Sequence, residues 1–370
     1  MFSDFYRNKK VLVTGHTGFK GSWLSQWLLM LGADVVGYSL EPDTEPSLFE
    51  QLGLAERLEH HLGDIRDREK FSSFVVATSP DVVFHLAAQP LVRLSYEEPL
   101  STYDTNVTGT VNLLSALWNL KKPCAAVFIT TDKCYENRES DHAYLETDAL
   151  GGYDPYSSSK ACAEIAIHSF RRSFFNDKDR ASVAIASARA GNVIGGGDWA
   201  ADRIVPDCMR SLSQDQPISV RNSKATRPWQ HVLEPLSGYL HLGHLLALDA
   251  AKGKDDLCGA FNFGPHDKSN QNVKHLVEEI LGSWPGKWND CSDPSAPHEA
   301  GLLSLNIEKA WRELGWKPVW DFAETIEKTV LWYRESMESM SEVGAISSLT
   351  EQQISEYQDM ATSQNLAWTN

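Results

Sequence analysis

The sequence predicts an α/β protein, a doubly wound parallel sheet followed by a smaller C-terminal α/β domain. Three observations predict it. Short β-branched runs alternate with longer helical patterns through the first half of the chain, the mark of parallel strands joined by crossover helices. Gly15, Gly18 and Gly21 follow the first such run and open the first helical pattern. After about Asn192, glycine, proline, tryptophan and arginine interleave with shorter elements. A chain of 370 residues is also too long for one small core and implies two domains or three.

Val11-Leu12-Val13 is the first strand. Trp23, Leu24, Trp27, Leu28 and Leu31 then recur at helical spacing across 21–31. Val35 to Tyr38 is a second strand and Val82 to Leu86 a third. A long helix is expected from about Leu100 to Asn119, with Val107, Val111, Leu114 and Leu117 on one stripe. Ala125 to Thr130 is a fourth strand, a helix carries Tyr156 and Lys160, and Ser182 to Ala188 is the next strand. Beyond the loop Gly195-Gly196-Gly197-Asp198-Trp199, helices are expected at 206–212, 236–248, 307–314 and 322–337. The last 30 residues are polar and acidic, an interface helix or a loose tail.

The formal charge of −16 argues against nucleic acid and anionic membrane surfaces as partners, though not against a basic pocket for a small anion. No stretch approaches the ~20 apolar residues of a membrane span. The N-terminus does not read as a secretory signal. The six cysteines form no CxxC pair, so neither a metal site nor a disulfide framework is expected, and reduced, buried thiols in the cytoplasm are the plain reading.

A strand, three glycines and a helix form the Rossmann-type context that binds a dinucleotide. Glycine lets the backbone approach the pyrophosphate, and the helix start offers free N–H groups. The acid that meets the ribose of NAD at the end of the second strand is replaced by Ser39, with Glu41 and Asp43 beyond it. No arginine or lysine lies between Val35 and Phe49 to greet a 2′-phosphate, so NAD is expected over NADP. Asp64-Ile65 either frames the adenine or begins a helix, with Asp64 as N-cap. The division expected is 1–191 for cofactor and catalytic residues, 192–340 for substrate with segments returning to the first domain, and 341–370 as a polar acidic tail.

Tyr156 and Lys160 are one helical turn apart on one face. Lys160 can lower the phenol pKa, and Tyr156 can then take a proton from an alcohol whose carbon gives up hydride. Thr131, at the end of a strand, either shares the same substrate oxygen or caps the strand. Asp132 and Lys133 place an acid and an amine beside it.

The TGxxGxxG loop, the Tyr156/Lys160 pair, Asn106 and the segment Leu314-Gly315-Trp316-Lys317-Pro318 resemble the extended short-chain dehydrogenase/reductases over about residues 8–340. Six longer strings narrow the likeness to the branch that dehydrates the sugar of CDP-glucose. They are TGHTGFKGSWL (14–24), HLAAQPLVR (85–93), TDKCYEN (131–137), GGYDPYSSSK (151–160), AGNVIGGGDW (190–199) and RPWQHVLEPL (227–236). The resemblance implies an internal redox cycle with NAD. C4 of the sugar is oxidised, the C5 proton becomes acidic, water leaves from C6, and hydride returns to C6. It carries over Gly15, Thr17, Gly18, Phe19, Lys20, Gly21, Ser39, Asp64, Ile65, Ala87, Ala88, Gln89 and Asn106 as cofactor contacts. Thr131, Asp132, Lys133, Tyr156 and Lys160 are its catalytic set. Asp132 is the candidate acid for loss of the C6 hydroxyl. Where many relatives have Thr-Asp-Glu, this chain has Lys133, which acts as base only when neutral, or else orients Asp132 or a sugar oxygen.

A sugar nucleotide needs cations for its diphosphate. Arg227 matches the resemblance best; Arg93, Arg203 and Arg221 are further candidates, each equally readable as a surface salt bridge. Asn192 could touch phosphate or sugar, and His298, beside Glu299, either closes the pocket or starts a helix. Trp229, Trp311 and Trp316 read as core. The helices at 100–119 and 155–170 could pair across a homodimer or within a homotetramer. A nucleotide-sugar 4-epimerase of the same fold, which does not need Asp132-Lys133, and a non-catalytic NAD-binding scaffold are the rival readings.

Overall fold

The computed structural model describes residues 1–175, 183–292, 302–338 and 344–370. β1 (Lys10–Thr14) pairs in parallel with β2 (Asp34–Ser39), and β2 with the short β3 (Glu59–Leu62). On the other side of β1 come β4 (Val82–His85), β5 (Cys124–Ile129), β6 (Val183–Ala190) and β7 (Ala260–Phe263). The order across the seven-stranded sheet is β7-β6-β5-β4-β1-β2-β3. The direction in which successive strands are added reverses between β1 and β4, so the crevice at the strands' carboxyl ends lies there. The Val82 run is thus the fourth strand. β3 reads Glu-His-His-Leu, and such polar residues suit a sheet edge.

Alternation along β1 shows why the sheet is covered on both faces. Val11 and Val13 enter one apolar core, Leu12 the other. The first core packs α1 (Phe19–Met30) against the sheet; the second packs α2 (Arg68–Thr78) and α3 (Gly109–Trp118). The long helix expected at 100–119 is broken. Pro99–Tyr103 passes through a π-helical turn at Asp104–Thr108 before α3 begins. That turn carries Asn106. α4 (Pro155–Ser173) starts at a capping Asp154, whose carboxylate accepts the Ser157 N–H, with proline in its first turn.

Beyond β6, α5 (Ile204–Ser213) and α6 (Leu233–Ala251) form near the expected positions. α6 returns to the sheet and packs in the same core as α1. Two short strands, Ile218–Val220 and Trp288–Asp290, pair at the far end of the cleft. α7 (Val273–Ser283) and α8 (Phe322–Glu338) lie side by side. The helix expected at 307–314 is a π-helical Ala310–Leu314 closed by Gly315 at φ +69°. Trp229 and Trp316 are core, as expected, but Trp311 is 54% exposed, with the Lys317 ammonium 3.9 Å above its ring.

The end of the chain corrects a further expectation. Its polar composition hides a stripe of Ile346, Leu349, Ile354, Tyr357 and Ala361 on α9 (Ala345–Ser363), and this stripe is buried. Trp368 is fully buried, stacked on Phe2 at 5.4 Å and on Tyr357 at 5.8 Å. Loss of a ring so placed costs about 3–5 kcal/mol. Tyr357 donates to the carboxylate of Glu234 on α6, which also accepts the backbone N–H groups of Val319 and Trp320. The segment is therefore docked by apolar burial and by one buried carboxylate.

Candidate active site

The glycine loop runs from the end of β1 into α1. Gly15 has φ +76°, and a Cβ there would lie 2.7 Å from the backbone nitrogen of Ala87. A Cβ on Gly21 would lie 2.1 Å from the Gly15 carbonyl oxygen. The loop is thus a close-fitted cradle with the start of a helix at its floor, which fits a pyrophosphate. The Thr17 hydroxyl bonds the Ser39 hydroxyl at 2.7 Å and donates to the Leu40 carbonyl at 3.0 Å, fixing the end of β2 against the loop.

One cavity of about 1910 Å³ begins here. Gly15, Thr17, Gly18, Phe19, Lys20 and Gly21 line its first part, with Ser39, Asp64, Ile65, Ala87 and Ala88. Asp64 is not the helix cap: Asp67 caps α2, and Asp64 grips Arg66. Gln89 and Asn106 do not line the cavity. Asn106, buried on the π-helical turn, accepts the Gln89 N–H at 2.8 Å. It donates to the Gln89 carbonyl at 3.0 Å and to the Ser159 hydroxyl at 2.9 Å. It braces the loop after β4 against α4, and Gln89 is spent on Thr102 and Leu91. Both act on the cofactor wall from behind, because their polar groups are already satisfied within the protein.

Thr131, Lys133, Tyr156 and Lys160 line the middle of the cavity. Asp132 does not: it is 0% exposed. Its Oδ1 accepts the Thr131 hydroxyl at 3.0 Å and lies 3.7 Å from the Lys133 ammonium, which also donates to Asn192 Oδ1 at 3.3 Å. Among the described residues its Oδ2 has no hydrogen-bond partner. The carboxyl of Asp132 is thus buried beside Thr131 and Lys133 and not on the cavity surface. The physical reason is the tight turn after β5, where the Thr131 hydroxyl accepts the Lys133 N–H and caps a short 3₁₀ segment.

Burial raises the phenol pKa of Tyr156, the hydroxyl of Thr131 and the charge of Arg203 lower it, and Asp132 and Asp154 raise it further. Lys160 donates to the Ile129 carbonyl at 3.3 Å. Burial pulls its own pKa down to about 8, against the pull of Glu164 one turn on. Among the largest influences on the phenol, the Thr131 hydroxyl and the Arg203 charge are the ones that lower it.

At the far end, Arg93, Asn192, Arg203, Arg221 and Arg227 all reach the cavity. Arg227 is buried, in a strand paired with 270–272, and donates to the Thr226 carbonyl. Arg203 pairs with Asp198 at 2.9 Å. Arg221 pairs with Asp202 and Asp207, and Arg93 stands 3.8 Å from Asp202. His298 lies outside the described residues, as does Glu299. Among the described residues no group of three or more metal-ligating side chains forms. Of the cysteines, 124, 134 and 208 are buried, but Cys291 is exposed.

Two parts of the site escape sequence reasoning. Glu164 accepts from Thr130, Ser187 (2.9 Å) and Arg189 (2.8 Å), and Arg189 donates to Tyr135, whose hydroxyl donates to Asn262. This buried network backs the wall that carries Lys160; the only hint is the position of Glu164, four residues after Lys160. The second is Tyr239 on α6, whose hydroxyl accepts from Lys20 at 3.5 Å. Nothing in its apolar surroundings on α6 marks it.

A sheet reversing at a glycine-lined cradle, with Tyr156 and Lys160 beside it, defines a nucleotide-binding enzyme of the short-chain dehydrogenase/reductase kind. The family model described as GDP-mannose 4,6 dehydratase matches residues 12–329, and the chain belongs to that family. A CDP-glucose 4,6-dehydratase of Salmonella typhimurium is 49% identical over 334 residues, 90% of this chain and 92% of that one. A UDP-glucose 4-epimerase of Mycoplasma pneumoniae is 26% identical, over 88% of this chain and 97% of its own. Among solved structures, a dTDP-glucose 4,6-dehydratase from Bacillus anthracis in complex with NAD superposes with a TM-score of 0.72. It shares 21% identity and covers 89% of this chain and 98% of that chain, a likeness of fold.

Proposed function

We propose that the protein dehydrates CDP-D-glucose to CDP-4-keto-6-deoxy-D-glucose, with NAD as a cofactor that ends each turnover unchanged. The 49% identity across nine-tenths of the chain carries this reading, and the cavity that gathers Thr131, Lys133, Tyr156 and Lys160 supports it. NAD would lie on the glycine cradle, where it supplies a hydride acceptor and later a donor. Ser39, beside Thr17, would meet the adenine-side ribose, and Asp64 and Ile65 the adenine.

The chain's own groups do the rest. Arg227 and its neighbouring arginines hold the diphosphate and fix the sugar over Tyr156. Tyr156 takes the C4 hydroxyl proton, and Thr131 holds the same oxygen. Lys133 would face C5 and act as base when neutral, and Asp132, 3.7 Å away, positions it. Residues 1–191 would serve the cofactor and 192–340 mainly the sugar nucleotide. The protein would work in the cytoplasm as a homodimer or homotetramer, in deoxysugar biosynthesis feeding lipopolysaccharide O-antigen.

Incubation with CDP-glucose and NAD in deuterated water tests this. The expected product is lighter by one water and carries deuterium at C5. CDP-galactose without water loss would overturn the reading in favour of epimerisation, and no turnover in favour of a scaffold.

A further inference from the structure

The end of β5 serves two catalytic groups at once. Its register with β4 stops at Phe128. The next carbonyl, that of Ile129, accepts the Lys160 ammonium at 3.3 Å. Thr130 still donates its backbone N–H to Ala188 on β6 at 2.9 Å. Thr131 then opens the turn, and its hydroxyl bonds Asp132 and the Lys133 N–H. The residue that anchors Lys160 and the residue that presents the Thr131 hydroxyl therefore flank Thr130, and only one ladder holds that strand end.

The Thr130 side chain is buried and donates to Glu164 Oε1 at 2.5 Å. Glu164 lies on α4, one turn after Lys160. Its Oε2 accepts from Ser187 at 2.9 Å and from Arg189 at 2.8 Å, both on β6. Ser187 and Arg189 alternate with Ala186 and Ala188, which enter the core on the α1 side, so the pleat turns both toward α4. Burial works to raise the Glu164 pKa, but the Arg189 charge and the three donors hold it below its ordinary value. One ionised, buried carboxylate thus pins α4, which carries Tyr156 and Lys160, to β6 and to the end of β5. Hydrogen bonds to an ionised group are roughly twice as strong as neutral ones.

We propose that Thr130 is a positioning residue for the redox step. Clamped by Glu164, it sets the end of β5 so that the Ile129 carbonyl holds Lys160 while the Thr131 hydroxyl meets the sugar oxygen beside Tyr156. Ser187 supplies the contrast. It gives the same kind of donor to the same carboxylate, but ladders on both sides already hold its backbone. Loss of the Ser187 hydroxyl leaves β6 in place, whereas loss of the Thr130 hydroxyl frees a strand end.

The proposal rests on the dehydration reading through its first step, in which C4 gives up hydride and Tyr156 takes the hydroxyl proton. CDP-6-deoxy-D-glucose has no C6 hydroxyl to lose, so the cycle stops at the ketone with reduced nicotinamide. In stopped-flow absorbance the rate constant reports hydride transfer and the amplitude reports the folded fraction. Thr130→Val is expected to lower that rate constant by about 10-fold or more, since small misplacements of reacting groups cost up to about 100-fold. KM for CDP-glucose should stay within about 2-fold of wild type, as for an interaction felt only in the transition state. Thr130→Ser keeps the hydroxyl and should return to within about 3-fold of wild type; Ser187→Ala should stay within the same margin. Thr130→Ala gives the same reading should the valine variant not fold. In the protein without cofactor or substrate, hydrogen exchange across residues 129–135 should quicken in Thr130→Val and not in Ser187→Ala. An unchanged rate constant in Thr130→Val, an equal loss in Ser187→Ala, no recovery in Thr130→Ser, or unchanged exchange would each overturn the proposal. Wild type that reduces nicotinamide but releases no 4-keto-6-deoxy sugar from CDP-glucose would overturn the dehydration reading alone.

Discussion

Glu234→Gln isolates the buried carboxyl that holds the C-terminal segment to the core. Glu234 is fully buried on α6 and accepts from Val319, Trp320 and Tyr357. Burial pushes its pKa up to about 7, against the pull of those three donors, and Glu324 adds to the rise. A carboxyl raised in the fold stabilises it fully below the unfolded pKa, and that contribution is lost as pH rises through the folded one. The gap between the ordinary 4.5 and about 7 corresponds to about 3 kcal/mol. Wild type should therefore lose about that much between pH 4.5 and 8 through this group, and the amide variant should not. Other groups titrate in the same window, including the buried His85 and His231, held neutral chiefly by burial. They cancel in the difference between variant and wild type. Urea unfolding of both proteins at pH 5, 6, 7 and 8 measures it. The variant should gain on wild type steadily with pH. A difference flat to within about 1 kcal/mol would refute the argument and mean that the three donors offset burial.

Tyr156→Phe should fold as wild type, with an unchanged melting temperature, yet lose about 100-fold or more in turnover, measured by product formation. Asp132→Asn removes the charge behind Lys133 and should slow elimination while sugar oxidation proceeds; a single-turnover trace showing reduced nicotinamide that persists would report this. Glu164→Ala leaves Arg189 buried without its partner and should cost about 3–5 kcal/mol in denaturant unfolding. It also withdraws the charge that supports the Lys160 ammonium, so the alkaline limb of the pH–rate profile should move to lower pH. Gly21→Ala places a methyl 2.1 Å from the Gly15 carbonyl oxygen and should weaken NAD binding in a fluorescence titration.

Much of this site is legible in the order of residues. β-branched runs and a glycine triplet are local signals, set by backbone sterics and by a period of two, so β1, β2, α1 and the cradle stand where the sequence puts them. Tyr156 and Lys160 share a helix face by spacing alone. Asp132 is harder to place, because which way a turn residue points depends on what the turn packs against. Asn106 and Gln89 mislead for a related reason: a polar side chain within reach of a cofactor can be spent on the backbone instead. Trp311 and Trp316, five residues apart, invite one environment and have opposite ones, since hydrophobicity does not say which side of a π-helical turn faces water.

What the chain determined by itself is its local geometry: alternating strands and helices, the open glycine loop, and a tyrosine one turn before a lysine. Tertiary packing alone decided that Lys20 meets Tyr239 across 219 residues, that Glu164 is spent on Arg189, and that a polar terminus seals the core with Trp368. Those outcomes depend on burial and on charges brought together from distant segments, and neither dielectric nor neighbourhood is written in a linear string of amino acids.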